Sequence, residues 1–300
     1  MRAGTRAGHG APPLGPREVA PPLSDSLPER SIRLAPDVTF SAHALAEQPP
    51  YCAQPLRDGE LRLWLLRPEW QLLSKEDAFA RLSRYERKRA KCFPQPAIGK
   101  RFAVGRAVLR GILGGIVGSR PEALELVDHE SGRITLAEPR ADAALDVAIA
   151  YAGIWILIGV SAQPIGLATA FSVGDAVDHD EQQRVRLTSV ASAARAPAGD
   201  VRATPDAEAG GEALATVQVE AGPAPHAHRV HTHDAGSWRV IDLPMPGRQC
   251  VAAVAAREIR EVRASGWNSS VKLPLPADDA PRGRRAARAA GGIRRAVAGG

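Results

Sequence analysis

The chain has 300 residues, 44% of them hydrophobic, with a formal net charge of +6 and a pI near 9.6. That apolar content is enough for a real core and excludes a chain too polar to fold, while the positive balance suits an acidic partner. Cys52, Cys92 and Cys250 are widely separated and carry no metal or redox spacing, which excludes a disulfide scaffold and fits a reducing, cytoplasmic compartment.

Residues 1–55 are rich in Pro, Gly and Arg and have no apolar run behind their basic start. They read as a disordered extension without a secretory signal. Folding is expected to begin near Glu60, with Leu61–Leu66 as a strand closed by Arg67-Pro68. Ser74 is placed to cap a helix, with Asp77 three residues later, and that helix runs toward Leu82. A second, strongly basic helix follows from Ser83 to Phe93. A third covers Gly99–Arg110, with Phe102, Leu109 and Leu113 on an apolar stripe and Arg101 and Arg106 on other faces. Pro121–Leu126 reads as a strand, and Ser131–Leu136 as a turn and a further strand.

Val147–Phe171 carries no charge. One reading is a membrane span, since about 20 uncharged residues cross a bilayer as a helix. The other is two buried strands joined by a turn. Ser161-Ala162-Gln163-Pro164 is turn chemistry, Pro would break a helix there, and Ile154–Val160 is rich in branched and aromatic residues. The run also lacks a flanking basic cluster, which favours the strand pair.

Beyond it lie four acids, Asp175, Asp178, Asp180 and Glu181, which loop positions seldom turn into a cation site. Residues 191–222 are Ala-, Gly-, Pro- and Thr-rich and read as loop or disorder. His226, His228, His231 and His233 form a metal-like run on an expected strand, but cysteine or a distant ligand at suitable spacing is missing. Ser237–Leu243 and Gln249–Ala255 read as two closing strands. The last residues carry six arginines (Arg282, Arg284, Arg285, Arg288, Arg294, Arg295) and read as a solvated tail, without specific nucleic-acid recognition.

Several of these elements, in this order, resemble the Sfp-type 4'-phosphopantetheinyl transferase family. Ser83–Phe93 is similar to its L-S-x-x-E-[RK]-x-R-x-x-x-F helix, and Gly99–Arg110 to R-F-x-x-x-R-x-x-L-R. Gly132-Arg133 stands at its G-K-P turn. Gly153, Trp155, Gln163, Pro164, Ile165 and Gly166 fall where the family reads S-H-S-G-x-W and Q-P-x-G. The resemblance implies an α+β fold of two pseudo-related lobes, here with the second lobe eroded. The corresponding division is an extension at 1–55, a first lobe at 56–170, an incomplete second lobe at 171–258 with its insert at 191–222, and an Arg-rich tail at 259–300.

The family moves phosphopantetheine from coenzyme A to a serine of an acyl or peptidyl carrier protein, with Mg2+ on the pyrophosphate. By position, Arg89, Arg101 and Arg133 are the implied coenzyme A contacts, and guanidinium groups suit phosphate. The catalytic positions are changed. Tyr151 stands where the family has histidine, and Ala168 and Ala170 where it has its metal-binding Asp and Glu. The later W-[ST]-x-K-E motif has no counterpart, since the chain has no lysine between Lys100 and Lys272. The implied function is thus a transferase-like protein with impaired or lost catalysis. Two alternatives stay open. One is an active holo-carrier-protein synthase using Glu138, Asp146 or Asp175 as substitute ligands. The other is a membrane-associated basic protein with Val147–Phe171 as a span.

Overall fold

The computed structural model describes residues 30–49, 52, 54–70, 72–129, 134–137, 145–174, 177–194, 218–232 and 236–267. In chain order the elements are β1 (Arg30–Ala35), β2 (Val38–His43), β3 (Glu60–Leu66), α1 (Lys75–Arg81), α2 (Arg84–Cys92), α3 (Pro96–Val117), β4 (Leu126–Asp128), β5 (Ile134–Leu136), β6 (Asp146–Ala152), β7 (Trp155–Ser161), β8 (Ile165–Phe171), α4 (His179–Ala194), β9 (Gln218–Ala224), β10 (Ala227–Thr232), β11 (Gly236–Leu243), β12 (Cys250–Ala256) and β13 (Glu261–Ser265). The architecture is mixed α+β, with two sheets and four α-helices among the described residues.

An eight-stranded sheet runs β1-β2-β13-β3-β7-β6-β5-β4, and a five-stranded sheet runs β8-β12-β11-β10-β9. The sheets face each other across one apolar core, in which Phe40, Leu63 and Val262 from the larger sheet join Ile165, Ile241 and Val254 from the smaller. Strand alternation sends the next residues the other way. Trp64, Leu66, Ile156 and Ile158 therefore pack under Val108, Leu109 and Ile112 of α3. On the outer face of the smaller sheet, α4 covers Ala168, Val230, Trp238 and Ala253. β3 is buried along its whole length because both of its faces are covered.

The first helices begin where local chemistry places them. The Ser74 hydroxyl accepts the Asp77 N–H at 3.0 Å. Ser83 and Glu86 form a reciprocal capping box, with Glu86 N–H to Ser83 Oγ at 3.1 Å and Ser83 N–H to Glu86 Oε2 at 2.8 Å. α3 starts with Pro96 in its first turn and ends at Gly118 in the left-handed conformation, φ 66°.

Val147–Phe171 is three strands, β6, β7 and β8, where two were expected, and the span alternative is corrected as well. A hairpin at Gly153, φ 54°, joins β6 to β7, and the Ser161–Pro164 turn joins β7 to β8. Among the described residues no helix is long and apolar enough to cross a membrane. Four further expectations differ from the structure. The segment assigned to a disordered extension contains β1 and β2, whose Ile32, Leu34, Val38, Phe40 and Ala42 alternate into the core; the Pro and Gly around them conceal that period. The segment assigned to the tail contains β13, which inserts parallel between β2 and β3. Trp267 follows it, 0% exposed and edge-on to Phe40 with ring centroids 5.6 Å apart. Pro121–Ala123 is a 3-10 turn, with the strand only at Leu126–Asp128. Within 191–222, α4 continues to Ala194 and β9 starts at Gln218, while 195–217 lie outside the described residues. The six arginines between Arg282 and Arg295 lie outside them too.

Candidate ligand-binding site

The basic face of the first helices converges on two aromatic rings. Phe102 on α3 has the Arg89 guanidinium 5.2 Å from its ring centroid and that of Arg106 at 5.8 Å. The Arg101 guanidinium lies 5.4 Å from the centroid of Tyr151 on β6 and donates to the Gly153 carbonyl at the hairpin. Arg89 and Arg101, carried by different helices, are thus both brought to the α2–α3–β6 junction. Arg133 lies outside the described residues.

An ion-pair network not foreseen from sequence holds this junction. Glu86, 2% exposed, accepts Arg106 Nε at 3.0 Å and Arg110 Nε at 2.8 Å. Asp128 on β4 accepts Arg106 at 2.6 Å and Arg89 at 3.2 Å. Arg110 also donates to the Pro121 and Leu124 carbonyls at 3.1 and 2.7 Å. Burial opposes the Glu86 charge, but the Ser83 N–H and the Arg110 and Arg106 guanidiniums outweigh it and hold its carboxyl below the usual carboxylate range. A cavity of about 690 Å³ opens beside this network, lined by Ser83, Tyr85, Glu86, Arg106, Glu122 and Asp128 among others. The helical spacing of Arg106 and Arg110 was visible in the sequence; the β4 partner was not.

Tyr151 stands at the expected histidine position. Its hydroxyl is buried without a hydrogen-bond partner, against Gly105 of α3. Burial pushes the phenol above its usual pKa, and the Arg106, Arg101 and Arg89 charges offset this only in part. A phenol held protonated in this way is no general base at neutral pH.

The positions expected to hold a metal are occupied by methyl groups turned toward α4. Ala168 is 5% exposed in the same cluster as Val185, Val190 and Trp238, and Ala170 packs at its margin. Asp146, a proposed substitute ligand, is 5% exposed and its Oδ2 accepts the Ile165 N–H at 2.7 Å, pinning β6 to the start of β8. Asp175 and Glu138 lie outside the described residues. Among the described residues no three His, Cys, Asp or Glu side chains come together as a metal site. The residues on β8 do not fit a divalent cation, which needs oxygen ligands.

The histidine run is split by strand alternation. His228 faces α4, with Nε2 3.2 Å from Asp242 Oδ2, while His231 projects from the opposite face of β10. His233 lies outside the described residues. Asp242 also accepts Arg186 Nε at 2.9 Å, Arg186 Nη2 at 2.7 Å and Gln182 Nε2 at 3.1 Å. His226 sits nearby, and burial lowers its pKa with Asp242 pulling the other way. The cluster docks α4 on the smaller sheet.

No family model matches the chain. Over 107 residues it is 36% identical to the 4'-phosphopantetheinyl transferase HetI of Nostoc sp. (strain PCC 7120). The chain is similar to a phosphopantetheinyl transferase. The similarity covers 34% of this chain, and the chain spans 43% of that relative's length.

Proposed function

We propose that the chain is a phosphopantetheinyl transferase-like protein that holds the phosphate end of coenzyme A through guanidinium groups, engages an acyl or peptidyl carrier protein in the cytoplasm, and has impaired or lost transfer. The observation that carries this reading is the placing of Arg89 against Phe102 and of Arg101 against Tyr151, while Arg133 lies outside the described residues. The similarity to a phosphopantetheinyl transferase supports it. On the division at residue 170, the first lobe is β3–β7 with α1–α3 and nearly all of β8, and the reduced second lobe is α4 with β9–β12.

The loss of transfer follows from chemistry. The reaction needs a divalent ion across the pyrophosphate, carboxylates to hold it and a base for the serine hydroxyl. Ala168 and Ala170 ligate nothing, and Tyr151 keeps its proton. Losing positioning and electrostatic stabilisation together costs several orders of magnitude in rate.

Calorimetric titration with coenzyme A, with and without Mg2+, tests the binding half. Saturable heat is expected, weakened in Arg89→Ala and Arg101→Ala by about 1.5–3 kcal/mol for each charge-assisted hydrogen bond removed. No heat at millimolar coenzyme A removes the reading. Incubation with coenzyme A, Mg2+ and an apo-carrier, followed by intact mass, tests the catalytic half. An unmodified carrier is expected; Mg2+-dependent modification abolished by Asp175→Ala would establish the substitute-ligand alternative instead.

A further inference from the structure

The acidic pair is absent from β8, and its space is also taken. Ile165 and Leu167 point into the core between the sheets, so Gly166, Ala168 and Ala170 share the opposite face. α4 lies directly on that face. A Cβ on Gly166 would collide with the Ser189 carbonyl and the Ala193 amide of the helix backbone. One step along the strand, Ala168 is buried with Val185, Val190, Ala193 and Trp238. The helix is fixed at this distance by Arg186 and Gln182, both bonded to Asp242 on the neighbouring β11. Two buried carboxylates bordering the seam are committed elsewhere, Asp242 to this clamp and Asp146 to the Ile165 amide.

We propose that the β8–α4 seam is a sealed apolar core that admits no divalent cation. This face of β8 therefore offers a bound ligand no metal, and restoring the two acids does not restore a metal site there. This rests on the phosphopantetheinyl transferase reading only for which positions are compared. A strand face able to accept a carboxylate needs either solvent or a free counter-charge behind it, and here the buried helix face over Ala168 carries Val185, Ser189, Val190 and Ala193, with the Arg186 guanidinium already paired to Asp242.

Thermal unfolding and calorimetry with MgCl2 alone, on the full chain, decide it. Wild type, Ala170→Glu and the Ala168→Asp/Ala170→Glu double variant are compared. Wild type is expected to show neither heat nor a Tm shift on adding millimolar Mg2+. The double variant should melt at least about 5 °C lower, since an uncompensated charge enters the core, and Mg2+ should not recover the loss. If the double variant does not fold at all, the seam has rejected the carboxylates as expected. Ala170→Glu, at the partly exposed margin, then carries the Mg2+ titration. A Tm raised several degrees by Mg2+ in either variant, or saturable Mg2+ heat in the wild type, overturns the proposal. Failure of coenzyme A to bind the wild type would remove the proposed function and leave this result standing.

Discussion

Arg186 and Asp242 meet side-on, guanidinium Nε and Nη2 to the two carboxylate oxygens at 2.9 and 2.7 Å, with residue exposures of 7% and 6%. A bidentate, nearly dry pair of this kind joins α4 to β11. Water reaches neither charge well, so the pair ties the helix to the smaller sheet and determines whether the outer core beneath it stays closed.

Asp242→Ala should therefore cost about 3–5 kcal/mol, because it leaves the Arg186 charge buried and unpaired. Urea unfolding at neutral pH measures it. Burial works against the Asp242 charge, but the hydrogen bonds from His228 and Arg186 hold its carboxyl below the usual range. The folded pKa is depressed, so the stabilisation is full above the unfolded carboxylate pKa of about 3.9 and is lost as pH falls through the folded value. The wild type should lose this contribution in acid, and the difference between wild type and Asp242→Ala should shrink there. A difference that stayed constant down to pH 2 (roughly two units below the unfolded value) would contradict the assignment.

Tyr151→Phe should be neutral or stabilising, by up to about 1 kcal/mol. The hydroxyl is buried beside Gly105 with no partner, so its removal relieves an unsatisfied donor and leaves the ring under Arg101 in place. Denaturant midpoints at unchanged slope check this. A loss above about 1 kcal/mol would mean that the hydroxyl has a partner in solution.

Local signals were legible in the sequence, and distant ones were not. The Ser74 cap with Asp77 and the Gln163-Pro164 pair after Ser161 act within a few residues, so α1 and the β7–β8 turn could be placed without a structure. The alternation along β8 likewise puts Ala168 and Ala170 on one face. What covers that face was hidden, because HDEQQRVRLTSVASAA has no clear apolar stripe and its docking depends on Asp242, which lies on β11. β13 was missed for a similar reason. Its five residues are stabilised by parallel pairing with β2 and β3, partners about two hundred positions away, and sequence period carries no trace of that. At the candidate site, Arg89 and Arg101 were named from the resemblance alone, while the Asp128 contact that orients Arg89 and Arg106 comes from a three-residue strand.

Removal of β13 should be far more damaging than its length suggests. It separates β2 from β3, so a chain ending at residue 258 would leave both with unpaired edges and expose Phe40. Such a chain should lose cooperative unfolding. Trp267→Ala is the gentler version; it removes the ring against Phe40 and the Nε1–H bond to the Pro244 carbonyl at 2.6 Å. A cost of about 3–5 kcal/mol is expected for a fully buried tryptophan. Near-UV circular dichroism and urea midpoints report both. A truncated chain that unfolds cooperatively at the wild-type midpoint would show that β13 is dispensable.

The three cysteines provide separate reports on the two main cores. Cys92 is exposed at the end of α2, whereas Cys52 and Cys250 are buried at 2% and 3% exposure. Cys52 belongs to the core under α3, and Cys250 to the core between the sheets. Burial pushes both thiols up to about 12, with Arg62 pulling the Cys52 value back only in part. The thiolate is the reactive form, so at pH 8 (roughly half a unit below a free thiol) both are suppressed by protonation and by lack of access. A maleimide should therefore add once to the native chain, at Cys92, and three times in denaturant, as read by intact mass and peptide mapping. Modification of Cys250 in the native chain before Cys52 would mean that the two sheets separate while the α3 core stays closed. Equal rates for both would mean that reaction follows global unfolding, and then Asp242→Ala should accelerate both in proportion to its loss of stability. Rapid native labelling of all three cysteines would contradict the packing of both cores.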